Sequence, residues 1–150
     1  MIAEIVSIGT ELLMGQIVNT DAQYLSKRLQ SLGISVYYHT TVGDNPQRMR
    51  DTLALALSRS DVVITTGGLG PTQDDLSKEM AAQLLGLPMV FDEESWRVVQ
   101  DYFVRLGRTC PENNKKQAMF AEGATILPNA CGTAPGCMVE HDGKIVIQLP

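Results

Sequence analysis

The chain is poor in the ligands of transition metals. Among 150 residues there are two histidines and three cysteines. Cys110, Cys131 and Cys137 show no C-x-x-C spacing, and His39 and His141 stand far apart, so a Cys/His zinc site is argued against. An odd number of scattered cysteines reads as reduced thiols in a cytoplasmic protein. No apolar run approaches the roughly 20 residues of a membrane helix. Glu4 interrupts the opening stretch Met1–Ile8, which also lacks a basic flank, so no secretory signal is read there. Basic residues are in the minority, 12 against 17 acidic, for a net charge of −5. That balance argues against general nucleic-acid binding, which needs a basic surface to displace counterions, but leaves room for a local phosphate site. A G-x-S-x-G elbow, an H-E-x-x-H helix and a Gly-Lys-Ser/Thr phosphate loop are all missing.

What is present suits one domain with a single packed core. Hydrophobic residues make up 44% and are grouped in short β-branched runs. Residues 2–8, 34–42 and 61–66 read as buried strands. Between them, Ala22, Leu25, Leu29 and Leu32 share one helical face, and Met49, Leu53, Ala56 and Leu57 share another. Asn45 caps the second of these helices, with Pro46 at its first position. A later helix carries Leu76, Met80 and Leu84. Another starts at Asp92 and runs through Val99, Phe103 and Leu106, with Phe91 and Trp96 placed as a hydrophobic staple. Residues 108–123 read as irregular, with a short helix at 113–119, and Ala124–Leu127 as a strand. Asp142-Gly143 between two apolar runs is a hairpin signal. The alternation of strand and helix predicts a three-layer α/β/α sandwich, with a mostly parallel, doubly wound sheet and a small antiparallel hairpin at its edge.

The most informative segment is Thr65-Thr66-Gly67-Gly68-Leu69-Gly70-Pro71-Thr72-Gln73-Asp74-Asp75-Leu76-Ser77. It joins a strand to a helix through glycines, at the end of the sheet where open α/β folds bind ligands. Glycines let a ligand approach the backbone, and free amides attract anions. A purely structural turn accounts for the glycines equally well. Asp74 and Asp75 would repel a phosphate unless a divalent cation, Mg²⁺ for instance, bridges them to it. Alternatively, Thr72 and Asp75 have the spacing of a capping box and only start a helix. Glu11, in the loop after the first strand, reaches the same rim or is a surface side chain. The loop Asn129–Cys137 lines a pocket or merely makes a tight connection. Lys115-Lys116 is a solvated pair or a phosphate contact.

The segments GTELLMGQIVNTDAQYLSKRL, TTGGLGPTQDD, ENNKKQAMF, PNACGTAPG and IVIQLP together resemble the N-terminal domain of the competence/damage-inducible CinA family. That domain is similar to the molybdopterin-binding domains of molybdenum-cofactor biosynthesis. The resemblance implies metal-dependent hydrolysis of ADP-ribose to AMP and ribose 5-phosphate. The alternative is a non-catalytic domain that binds a nucleotide or molybdopterin. Under the first reading Asp75 and Glu11 are catalytic and hold the divalent metal. Thr66, Gly67, Gly68, Gly70, Asp74, Ser77, Gly132 and Thr133 bind substrate, a nucleotide diphosphate.

Three features depart from the family pattern. Asp21 stands where asparagine is usual. Asp74 stands where the molybdopterin branch tends to carry arginine, which disfavours adenylyl transfer to a pterin. The family's following helix and deamidase domain lie beyond Pro150, and no Nudix box is present. The last strand, with Ile145, Ile147 and Leu149 on one face and Val146 on the other, is therefore expected to expose an apolar patch and to drive self-association, most simply as a dimer.

Overall fold

The computed structural model describes all 150 residues. Strands β1 (Ile2–Ile8), β2 (Ser35–Val42), β3 (Val62–Thr66), β6 (Thr125–Leu127), β7 (Gly136–His141) and β8 (Lys144–Leu149) form one sheet in the order β2-β1-β3-β8-β7-β6. The pairs from β2 through β8 are parallel, and those joining β8, β7 and β6 are antiparallel. This is the α/β/α sandwich expected from the strand–helix alternation.

The layers follow from the period-two alternation of β1 and β3. Ala3, Ile5, Val62 and Ile64 pack against Ala22 and Leu29 of α2 (Thr20–Ser31). Val6, Ile8 and Val63 point the other way, onto Met49, Leu53 and Ala56 of α3 (Pro46–Arg59). On that same face Ala81 and Ala82 of α4 (Ser77–Leu85) cover Val139 and Val146. The caps expected at Asn45 and Asp92 are in place, and Asn19 caps α2 in the same way. Asn19 accepts from Ala22, Asn45 from Arg48, and Asp92, which starts α5 (Glu93–Arg105), from Ser95. Asp142 and Gly143 both have positive φ, as a two-residue turn of the primed type requires.

Several local readings are corrected. The loop after β1 opens with a single helical turn, α1 (Thr10–Leu13). The short helix expected near 113–119 is a 3-10 helix, Glu112–Ala118, but it runs directly into a strand that was not expected, β5 (Met119–Ala121). That strand pairs with β4 (Met89–Phe91) in a separate two-stranded sheet. Helix α4 begins only at Ser77, after Leu76, with no side chain capping it, so Thr72 and Asp75 are not a capping box.

The expectation for the last strand also changes. β8 lies inside the sheet between β3 and β7. Val146 is buried, while Ile145, Ile147 and Leu149 are half-buried against the α2-side cluster. The strand is thus covered on its Val146 face and half covered on the other. The exposed large apolar side chains include Leu13, Met14, Ile17 and Val18, in the segment after β1. No helix is long and apolar enough to cross a membrane.

One charged group sits deep in this core. Glu4 of β1 is fully buried and takes Nε and Nη2 of Arg59 at 2.8 and 2.7 Å and the Thr40 hydroxyl at 2.7 Å. Burial pushes the carboxyl upward, but the hydrogen bonds from Arg59 and Thr40 outweigh it and hold it below the usual carboxylate value.

Candidate functional site at the carboxyl rim of the sheet

The central strands β1 and β3 end side by side at Ile8 and Thr66, and the turn after β3 is wedged between them and α4. Gly67 and Gly68 have φ of +89° and +70°, a region costly for any residue with a Cβ. The turn is tied down on both sides. The Gly67 N–H donates to the Leu149 carbonyl at 3.0 Å, and the Ser77 hydroxyl donates to the Gly67 carbonyl at 2.9 Å. The Ser77 N–H reaches the Gly68 carbonyl at 3.3 Å. A Cβ on Gly67 would strike the Ile8 carbonyl, and one on Gly68 the Ser77 hydroxyl. Ser77 is fully buried, so its visible role is to latch the turn to α4. Beyond these bonds, the N–H groups of Gly68, Leu69 and Gly70 donate to no acceptor within the chain.

The acids near the turn have partners of their own. One Asp75 oxygen accepts from the Thr72 N–H at 2.9 Å and from the Thr72 hydroxyl. A Cβ on Gly70 would come within 2.6 Å of that same oxygen, so the third glycine makes room for Asp75. Asp74 is exposed. Glu11 folds its carboxylate back over Gly9. It borders a small cavity of about 170 Å³ on the α2 side of the rim, together with Asn19, Asp21, Thr66 and Gly67. Asn19 both caps α2 and donates to the Ser7 hydroxyl at 2.8 Å, fixing this wall.

The structure thus brings Glu11, Thr66 and Gly67 to one cavity and places Asp75 with Gly70 and Thr72 in the adjoining loop. No group of three Asp, Glu, His or Cys side chains converges to hold a metal ion anywhere in the chain. The donor set does not fit a pre-built divalent-metal site with Asp75 and Glu11 as joint ligands, because the two acids are organised around different neighbours.

Gly132 and Thr133 lie elsewhere, in a groove between α5 and the loop 128–135 that also includes Val98 and Asn129. Asn129 organises that loop, donating to the Ala134 carbonyl and accepting from the Cys131 N–H, both at 2.9 Å.

Sequence reasoning missed the brace behind the glycine turn. The 3-10 helix Glu112–Ala118 packs against the loop, and the Lys116 ammonium donates to the Thr72 carbonyl at 2.8 Å. Asn113 reaches the Pro71 carbonyl at 3.4 Å. The helix is held in turn by Lys78 of α4. This ammonium is almost fully buried, donates to the carbonyls of Gln117 and Lys116 at 2.8 and 3.3 Å, and lies 4.3 Å from the centre of the Phe120 ring. Burial lowers the Lys78 ammonium to about 8. Burial also raises the neighbouring Cys137 thiol to about 11, which makes it a poor nucleophile.

The arrangement of sheet, rim turn and small second sheet defines a class. Residues 4–150 match the family described as "Probable molybdopterin binding domain". A solved CinA structure from Thermoplasma acidophilum superposes with a TM-score of 0.89 at 31% identity, covering 99% of this chain and 87% of that one. A molybdopterin biosynthesis protein from Mycobacterium abscessus superposes with a TM-score of 0.61 at 16% identity, covering 98% and 78%, a likeness of fold alone. A competence-damage inducible protein of Acetivibrio thermocellus and a CinA-like protein of Dictyoglomus turgidum are each 56% identical over all 150 residues. The chain belongs to the CinA family of molybdopterin-binding-type domains, and it spans 36% of the length of those two relatives.

Proposed function

We propose that the domain binds a phosphate-bearing small molecule, a nucleotide or a pterin phosphate, at the carboxyl rim of the sheet. The observation that carries this reading is the run of three unpaired N–H groups, Gly68, Leu69 and Gly70, at the end of central strand β3. Backbone donors with no acceptor in the chain must bond to water or to a ligand. At a turn that precedes a helix they are suited to phosphate oxygens. The match to a molybdopterin-binding family supports a phosphate-bearing ligand of this kind.

Binding without turnover is favoured over metal-dependent hydrolysis of ADP-ribose. The two acids expected to share a metal are organised around different neighbours, Asp75 around Thr72 and Glu11 over Gly9, and no group of three metal-ligating side chains supports them. The test is calorimetric titration with AMP and with ADP-ribose, in a chelator and again with Mg²⁺, followed by analysis of the ligand recovered. Saturable binding in the chelator with intact ADP-ribose is the expected result. Release of AMP and ribose 5-phosphate only when Mg²⁺ is present would overturn it in favour of the hydrolase.

A further inference from the structure

We propose that Lys116 supplies the positive charge that meets the ligand's phosphate at the glycine rim, the part a divalent cation was expected to play. The inference rests on the binding reading above. A phosphate beside Asp74 and Asp75 needs a cation close by, or repulsion defeats it. No group of three metal-ligating side chains stands at the rim, and an ammonium is already at the loop.

Lys116 is suited to this in four respects. Its ammonium has three donor protons, of which the Thr72 carbonyl takes one at 2.8 Å. The nearest Glu79 oxygen stands at 3.6 Å, a loose ion pair beyond hydrogen-bond reach, so the Thr72 carbonyl is the only acceptor the ammonium bonds within the chain. The side chain is 21% exposed, sheltered enough to limit screening yet open to a ligand. Its backbone is pinned by Lys78, whose own ammonium is spent on the carbonyls of residues 116 and 117. Lys115 is placed differently. It is 49% exposed, pairs with Glu112 at 2.8 Å, and lies 6.0 Å from the centre of the Trp96 ring. The two adjacent lysines therefore have different roles, although sequence alone does not separate them.

The test compares AMP with adenosine by calorimetry in a chelator, on the wild type and on K116M, K116R, K115M and D75N. A charge-assisted hydrogen bond accounts for about a tenfold or larger factor in affinity. AMP should bind about tenfold or more weakly to K116M, near wild type to K116R, and unchanged to K115M. Adenosine affinity should be the same in wild type and K116M. D75N should bind AMP as well as wild type or more tightly, because one repelling charge is gone while the amide oxygen still accepts from Thr72. K116M binding AMP as wild type does would overturn the inference while leaving the binding reading intact. So would an equal loss of AMP and adenosine, which marks a purely bracing lysine, or loss of AMP binding in D75N, which shows that the Asp75 carboxylate supports the phosphate site rather than repelling the ligand. A wild type that binds no AMP would overturn the binding reading and this inference together.

Discussion

Gly67→Ala is expected to destabilise the domain by roughly 3 kcal/mol, the sum of a left-handed backbone penalty and a steric one. The added methyl would meet the Ile8 carbonyl, which is backbone at the end of a central strand and cannot turn aside. The urea midpoint should fall with little change in slope. A change under about 0.5 kcal/mol, the size of an ordinary surface substitution, would contradict the packing argument. Gly68→Val should also weaken ligand binding, but for a reason the sequence hides. Its side chain would displace the Ser77 hydroxyl from the Gly67 carbonyl and distort the turn before any ligand arrives.

Arg59→Ala should cost about 3 kcal/mol or more near neutral pH, because it leaves the Glu4 carboxylate buried without its main partner. The pH dependence gives the sharper signature. In the wild type the Glu4 carboxyl is held below its ordinary 4.5, so its contribution is present above that value and is lost as pH falls through the lowered one. In the variant the guanidinium is gone and burial dominates, so the carboxyl rises and protonation on acidification relieves the buried charge. The gap in stability between wild type and variant should therefore narrow between pH 7 and pH 4.5. Denaturant unfolding at the two pH values checks this, and a gap that is constant or widens toward acid would contradict it.

The parts of the fold that were legible in the sequence are those with a long period or a local chemical signal. Strand β3 is an unbroken β-branched run, α3 begins with Asn45-Pro46, and the hairpin carries Asp142-Gly143. The three-residue strands β4 and β5 were not legible, because three residues carry no period and their pairing spans the whole of α5. The start of α4 was misplaced for a related reason. Thr72 and Asp75 do bond to each other, as their spacing suggests, but they close a turn one step ahead of the helix. Chemistry at the rim was legible in position and less so in role. Glycines marked the ligand end of β3, yet two of them answer to Ile8 and Ser77, and the third answers to Asp75. The Lys116 contact with Thr72 joins residues 44 positions apart, and nothing in a run of two lysines reveals it.

The central claim is that a phosphate-bearing ligand is held by the turn after β3. Amide resonances followed by nuclear magnetic resonance during an AMP titration in a chelator test it most directly. The Gly68, Leu69 and Gly70 amides should show the largest saturable shifts, because they are the donors left free for the phosphate. Shifts confined to the Asn129–Thr133 groove, or no shifts at the three rim amides while AMP binds, would contradict the account.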